Sequence, residues 1–152
     1  QQDDSRPTQA AVSLVLQAEI QHGLQELNTY LKFQPRADKI KDDLLSFLIE
    51  QKRAGKKVAA YGAAAKGNTL LNYAGVKPDL VEFVCDAAQA KQSKFMPGSH
   101  IPILHPSEML TRLFDYVLIL PWNIADEVIK QNSQLVSRGK QFVTAVPLLK
   151  IL

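Results

Sequence analysis

The stretch that most constrains the fold of this chain is Val58-Ala-Ala-Tyr-Gly-Ala-Ala-Ala-Lys-Gly-Asn68. The small and β-branched residues up to Tyr61 predict a buried strand, Gly62 predicts a tight turn, and the following residues predict a helix. A strand, a glycine turn and a helix in this order point backbone N–H groups and a positive helix end at an anion. The stretch therefore predicts an anion-binding turn at the start of an α/β unit.

The glycine pattern of this turn departs from two well-known phosphate-binding patterns. Against the dinucleotide-binding pattern G-x-G-x-x-G, Gly62 and Gly67 match the outer glycines, whereas Ala64 replaces the middle one. The middle glycine lets the backbone touch a pyrophosphate, so its replacement argues against a standard dinucleotide pose. A Walker A loop is excluded because Asn68-Thr69 follows Gly67 instead of Lys-Ser or Lys-Thr. A ligand-binding turn and a ligand-free tight turn both remain open.

The composition favours one ordinary globular domain. The chain has 152 residues, of which 46% are hydrophobic and 22% charged, and its net charge of +3 is too weak to indicate nucleic acid binding. It has neither a signal-peptide pattern nor an apolar run of about 18 residues, so we expect no membrane span and a cytoplasmic location. The single cysteine, Cys85, excludes an internal disulfide and a multi-cysteine zinc site, and we expect no metal. The absence of an initiator methionine indicates a piece of a longer protein.

The first third of the chain predicts two helices. After a polar lead at residues 1–7, Thr8 is the predicted N-cap of an amphipathic helix with apolar residues at spacings of three and four. Gly23 is expected to weaken this helix without ending it, whereas Pro35 is expected to interrupt the pattern. A second helix follows and is expected to end before Gly55.

From Val58 onward, the sequence alternates between strand and helix patterns. The predicted elements are a strand at 58–61, a helix at 65–73, a strand at 80–85, a polar loop at 87–99, a short apolar piece at 101–104, a short helix at 106–113, a strand at 115–121, a helix at 124–138 and a strand at 141–146. This order predicts an α/β fold, with a Rossmann-like three-layer parallel sheet preceded by two N-terminal helices. We predict a helical lead segment at 1–55 and the Rossmann-like domain at 56–152.

Ligands bind such sheets at the carboxyl ends of the strands. Asp86 ends the second predicted strand about twenty residues after Gly62, where dinucleotide folds carry a ribose-binding carboxylate. Trp122 offers a flat face to a base or sugar, and Asn123 can pair with hydroxyl groups. The substrate-binding residues predicted at this edge are Tyr61, Gly62, Ala63, Lys66, Gly67, Asn68, Asp86, Lys91, His100, Trp122 and Asn123. Purely structural interpretations stay open: Asp86 as a strand cap or lysine partner, and Trp122 as a core residue.

The sequence offers no complete catalytic set. It contains no G-x-S-x-G, no H-E-x-x-H and no paired-carboxylate signal, so the catalytic residues are unknown. The residues alone therefore predict a binding domain for an anionic, nucleotide-bearing ligand.

Several longer segments carry a family resemblance. They are Tyr61–Tyr73, Asp86, Lys91-Gln92, Pro97-Gly98, Ile101–Ile103, Asp115–Asn123 and Glu127. Together they resemble the C-terminal domain of the SAM-dependent C-methyltransferases, a family that includes enzymes methylating a ring carbon of dTDP-linked keto-deoxysugars. The resemblance covers residues 36–152 well and the N-terminal helices more loosely.

The resemblance implies a domain that helps to bind a nucleotide-linked keto sugar or a related small anionic keto substrate. It implies that SAM is bound by an upstream methyltransferase domain and that no cofactor is bound by this domain itself. The zinc segment, the SAM motif and the Tyr-x-Glu-His element of the family are absent from this chain, so we expect the isolated domain to be inactive. The expected partners are the substrate and the upstream domain, with no nucleic acid and no membrane. The alternatives are a structural assembly module without a ligand and an NAD(P)-binding oxidoreductase domain.

Overall fold

The structure is a computed structural model that describes residues 10–152. The predicted polar lead at residues 1–7 and the predicted N-cap at Thr8 lie outside the described residues. The chain divides into two compact units between Asp38 and Lys39 rather than at residue 55. The boundary falls early because the helix before the first strand already contributes Leu44 and Leu48 to the core of the second unit.

From Ala10 onward, three helices precede the first strand. They are α1 (Ala10–Gln21), α2 (Leu27–Leu31) and α3 (Phe33–Arg53). The prediction of one continuous helix through Gly23 is wrong, because Gly23 adopts a left-handed φ of 68° and closes a turn after α1. The prediction at Pro35 is also wrong: Pro35 lies in the first turn of α3, where the missing N–H costs no helical hydrogen bond. Gly55, with φ 72°, follows the end of α3 as expected.

The unit that starts at Lys39 is an α/β fold. Its strands are β1 (Val58–Tyr61), β2 (Val84–Cys85), β3 (Lys94–Phe95), β4 (Pro102–Leu104), β5 (Tyr116–Ile119), β6 (Gln141–Thr144) and β7 (Lys150–Ile151). Its further helices are α4 (Ala65–Tyr73), α5 (Glu108–Thr111), α6 (Ala125–Gln131) and α7 (Ser133–Val136), with 3₁₀ turns at Gln89–Lys91 and Trp122–Ile124. The predicted bounds of β1 and α4 are confirmed.

The seven strands form one sheet in the order β3-β4-β2-β1-β5-β6-β7. The five central strands in this order, β4, β2, β1, β5 and β6, are parallel. The two edge strands, β3 and β7, pair antiparallel with their neighbours. The chain adds strands on one side of β1 and then crosses to the other side at β5. This arrangement is doubly wound, and the predicted Rossmann-like fold class is confirmed.

Several predicted bounds are wrong. The predicted strand at 80–85 is shortened to Val84–Cys85, because Leu80 belongs to a turn closed by its N–H donating to the Lys77 carbonyl. The predicted helix at 124–138 is divided at Asn132, whose buried Nδ2 donates to the carbonyl oxygen of Val128 at 2.8 Å. The predicted polar loop at 87–99 contains β3, and β7 was not predicted at all.

Alternate strand residues pack on the two faces of the sheet. One face joins Ala60, Leu118 and Val143 to Leu48 of α3 and Leu71 of α4. The other joins Ala59, Val117 and Phe142 to Met109 of α5, Val128 of α6 and Leu135 of α7. These three layers hold the carboxyl ends of β1, β2 and β5 side by side, because the register pairs Tyr61 with both Cys85 and Ile119.

Candidate functional site

The two outer glycines of the turn bring β1 and α4 against the end of β5. Gly62 has a φ of 87°, and a Cβ there would lie 2.6 Å from Cδ of Pro121. A Cβ at Gly67 would lie 2.5 Å from Cβ of Leu120. Both distances are far below van der Waals contact, so a side chain at either position would force the backbone apart. The glycines are therefore explained by packing alone, and the resulting turn places the amino end of α4 at the carboxyl edge of the sheet.

Asp86 fastens the end of β2 to this turn. Its Oδ2 accepts hydrogen bonds from the Ala63 N–H at 2.7 Å and from the Lys91 Nζ at 3.0 Å. Its Oδ1 accepts from the Ala88 N–H at 2.8 Å, and the residue is 8% exposed. Lys91 also donates to the Ala63 carbonyl at 3.0 Å. Both carboxylate oxygens thus have partners from the chain itself.

The contacts of Asp86 determine whether this acid can bind the ribose of a cofactor such as NAD(P) or SAM. In dinucleotide-binding folds, the acid after the second strand accepts hydrogen bonds from the ribose hydroxyls. Here the Lys91 ammonium takes that position on Asp86, and Ala64 stands where the pyrophosphate would need a glycine. The residues present do not fit a dinucleotide such as NAD(P) in that pose, and Lys91 occupies the carboxylate that would bind the ribose of SAM.

A cavity of about 620 Å³ lies beside the amino end of α4. We call it the α4 cavity. Its α4 side is formed by Ala63, Ala64, Ala65, Asn68 and Thr69. Its facing wall is formed by Phe95, Met96, Pro97 and Ile103, with Ala90, Lys91 and Lys94 along the rim. Its volume lies within the range of about 300–1,000 Å³ that is usual for small-molecule sites. The wall is mostly apolar, which suits a flat ring better than a bare charged group.

Asn68 carries an unsatisfied polar atom in this cavity wall. Its Oδ1 is buried and has no hydrogen-bond partner. One turn along α4, the Asn72 Nδ2 by contrast donates to the backbone carbonyls of Asn68 and Pro97 at 3.0 and 2.9 Å. A buried acceptor without a partner costs about 1–3 kcal/mol, so an isolated one calls for an explanation.

On the other side of α4, three residues form what we call the Trp122 corner: Lys66, Trp122 and Asn123. The Lys66 Nζ lies 4.8 Å from the centroid of the Trp122 ring and donates to Oδ1 of Asn123. The cation–π contact and the hydrogen bond hold the ammonium group beside the first turn of α4. Ala64, the N-cap residue, supplies no side-chain acceptor. The backbone N–H groups of the first turn of α4 are therefore left without a side-chain cap. A cation and uncapped amide groups therefore lie at the same helix end.

The family model of the C-methyltransferase C-terminal domain matches residues 1–147 of the chain. The chain belongs to the C-methyltransferase family. It is 32% identical over 137 residues to the C-methyltransferase NovU of Streptomyces niveus; the match covers 90% of this chain and 33% of NovU. The chain thus spans about a third of the length of this curated relative.

Among solved structures, this chain is similar to the UDP-D-quinovosamine 4-dehydrogenase of Vibrio fischeri. The TM-score is 0.47 at 21% identity, and the match covers 64% of this chain and 93% of the dehydrogenase chain.

Two of the predicted site residues do not join the others. The Tyr61 side chain packs with the core under α5–α7, on the face of the sheet opposite α4. His100 lies in the turn before β4, at the amino end of a strand, whereas the other residues follow carboxyl ends. Its left-handed φ of 57° belongs to that turn. The remaining residues of the prediction surround the amino end of α4.

Sequence reasoning missed the facing wall of the α4 cavity. Phe95, Met96, Pro97 and Ile103 reach α4 because β3 pairs antiparallel with β4 at the sheet edge. The only sequence signal was the apolar piece at 101–104 after a polar loop. In residues 10–152, no group of three histidine, cysteine or acidic residues could hold a metal ion. No helix of that same range is long and apolar enough to cross a membrane.

Proposed function

We propose that this domain binds the nucleotide-linked keto substrate of a SAM-dependent C-methyltransferase. The observation that carries the proposal is the α4 cavity, which lies beside the uncapped amino end of α4, while the Lys66 ammonium is held on the other side of the same helix end. The family membership supports a role in carbon methylation, and the fold supports a ligand at this edge of the sheet.

The diphosphate of the substrate is assigned to the first turn of α4. Backbone N–H groups and the positive end of a helix stabilise an anion, and the Lys66 ammonium adds a full charge beside them. Lys91 and Lys94 lie at the cavity rim, where the charge of Lys91 is offset by Asp86 and Lys94 donates to the Ala90 carbonyl. Within the described residues, Lys66 contacts only neutral groups and belongs to the first turn of α4 itself, so binding should depend on it most.

The contribution of this domain to the reaction is positional. A substrate held by its nucleotide presents its keto sugar outward, and fixing the reacting carbon relative to a methyl donor lowers the entropic part of the barrier. SAM supplies the methyl group, and we assign its binding to an upstream domain because Asp86, the acid that would bind its ribose here, is engaged by the Ala63 N–H and by Lys91. The isolated chain is expected to bind substrate without transferring a methyl group.

Isothermal titration calorimetry with thymidine diphosphate and a thymidine-diphosphate-linked keto sugar tests the proposal. We expect saturable binding, weakened about tenfold in Lys66→Ala, which is close to 1.4 kcal/mol. Lys130→Ala, which removes an exposed lysine of α6, is the matched control and should bind as the wild type does. No heat at millimolar ligand, or equal affinity in Lys66→Ala, would contradict the proposal.

A second role is favoured by α1. All its residues are exposed, including Leu14 at 66%, Val15 at 57% and Leu16 at 52%, and Glu19 is its one charged residue. A helix this apolar is normally covered. We propose that it packs against the upstream methyltransferase domain. Co-purification of the chain with such a domain should be lost in Leu16→Asp and kept in Gln17→Asp; retention in both would contradict it.

A further inference from the structure

We infer that the α4 cavity receives the nucleobase of the substrate, and that Asn68 reads the base by pairing with its imide edge. This inference rests on the proposed function, because it assigns one part of the same ligand. Two independent observations support it: the side-chain oxygen Oδ1 of Asn68 has no hydrogen-bond partner, and the facing wall of the cavity is apolar.

The apolar facing wall of the α4 cavity favours one part of a nucleotide sugar over the others. Phe95, Met96, Pro97 and Ile103 offer no hydrogen-bonding side chain, whereas a diphosphate or a sugar needs many. A base needs flat apolar surroundings and a few polar partners along one edge. Phe95, one of these wall residues, is 61% exposed and is therefore accessible to a ligand. The base is therefore the part whose transfer from water costs least here.

Asn68 supplies the edge contact. Its side-chain amide carries an acceptor next to a donor, and the imide of uracil or thymine carries a donor, N3–H, next to an acceptor carbonyl. The two edges are complementary and can form two parallel hydrogen bonds. The terminal torsion of an asparagine side chain is soft, so the buried Oδ1 can turn toward a donor that enters the cavity. Pairing would remove the cost of the unsatisfied acceptor.

The other polar side chains around the cavity already donate hydrogen bonds within the chain, so Asn68 is the side chain available to pair with the base. Asn72 is committed to the Asn68 and Pro97 carbonyls, and the Thr69 hydroxyl donates to the Ala65 carbonyl. Lys91 and Lys94 donate to chain oxygens at the rim. Adenine also presents a donor beside an acceptor, but the Asp86–Lys91 pair takes the place of its ribose in the usual pose of this fold. The imide bases fit the remaining geometry best.

A cycle of two proteins and two ligands tests the inference. Wild type and Asn68→Ala are titrated with thymidine diphosphate and with its N3-methyl derivative, which lacks the imide donor. We expect N3-methylation to weaken binding to the wild type roughly tenfold and to leave binding to Asn68→Ala unchanged. Gln134→Ala, an exposed amide removed from α7, should behave as the wild type does. Equal affinity of the wild type for both ligands would overturn the inference.

The same titrations separate this inference from the function on which it rests. If thymidine diphosphate binds and Lys66→Ala weakens it while the Asn68 cycle shows no coupling, the diphosphate site stands and the base assignment falls. If no nucleotide binds, both fall. Adenosine diphosphate is the third ligand, and binding as tight as that of thymidine diphosphate would overturn the imide assignment.

The stability of Asn68→Ala gives a readout that a merely structural role would not produce. Removing a buried acceptor without a partner should leave the free energy of unfolding unchanged or raise it, while nucleotide affinity falls. A residue kept only for structure would lose stability instead. A fall in both stability and affinity would therefore count against the inference.

Discussion

Lys91 contacts both Asp86, at the end of β2, and Ala63, in the turn after β1. The Lys91 Nζ lies 3.0 Å from Oδ2 of Asp86 and 3.0 Å from the carbonyl oxygen of Ala63, so the loop after β2 is tied to the turn after β1. In folds of this kind, the same acid would be free to bind a ribose. The pair ties the turn in place and occupies the carboxylate that a ribose would need.

Replacing Asp86 should destabilise the domain. Asp86→Ala leaves the N–H groups of Ala63 and Ala88 without their acceptor and frees the Lys91 ammonium. We expect the free energy of unfolding to fall by about 3 kcal/mol, as measured by urea denaturation. Asp126→Ala, at an exposed position of α6, should cost less than about 1 kcal/mol. Similar losses in both variants would show that the Asp86 contacts contribute little.

A methyl group at Gly67 should cost stability despite the better helix propensity of alanine. Propensity alone would favour Gly67→Ala by about 1 kcal/mol. The added Cβ would lie 2.5 Å from Cβ of Leu120, and strand β5 cannot move away without disturbing the sheet. We expect a net loss of about 1–3 kcal/mol in chemical denaturation. Thr69→Ala, at an exposed position of the same helix, should be nearly neutral. A stabilised Gly67→Ala would contradict the close packing of α4 on β5.

The thiol of Cys85 should make stability depend on alkaline pH. Burial, with a smaller effect from Glu108, raises the pKa of Cys85 from 9.0 to about 12. The folded state therefore holds this proton to higher pH than the unfolded state, so its contribution to stability is complete below pH 9. That contribution should be lost as the pH rises toward about 12.

Urea denaturation of wild type and Cys85→Ala at pH 8.5 and 10.5 measures this contribution. The wild type should lose more stability than Cys85→Ala between the two pH values, since only the wild type carries the thiol. The native thiol should also react slowly with a disulfide reagent at pH 8, because it stays neutral and buried. Equal losses in the two proteins, or rapid labelling, would contradict the raised pKa.

The elements nearest the glycine turn could be predicted because local sequence determines them. In β1 and α4, a short apolar run, a glycine and a helical pattern agree with the final structure, so Val58–Tyr61 and Ala65–Tyr73 have their predicted bounds. Pro35 misled the prediction because its effect depends on whether it stands in the first turn of a helix or beyond it. The edge strands β3 and β7 have two residues each with exposed side chains, so no hydrophobic alternation marks them.

The candidate site could be predicted only in part. Topology brings Lys66, Asp86 and Trp122 to one edge, as the order of strands and helices implied. The contact of Lys91 with Asp86 and the wall formed by Phe95 depend on the path of a loop, which no local pattern specifies. His100 was predicted at this edge, but it precedes β4 and therefore lies at the amino end of that strand, at the opposite edge of the sheet. These features follow from tertiary pairing rather than from propensity.

The most direct test of the account is a nuclear magnetic resonance titration of the ¹⁵N-labelled chain with thymidine diphosphate. The central claim is that the first turn of α4 holds the diphosphate between the α4 cavity and the Trp122 corner. We predict that the amide resonances of Ala65, Lys66 and Gly67 shift most, together with the Asn68 side-chain amide and the Trp122 indole N–H. Shifts confined to other parts of the chain, or no shifts at saturating nucleotide, would contradict the claim.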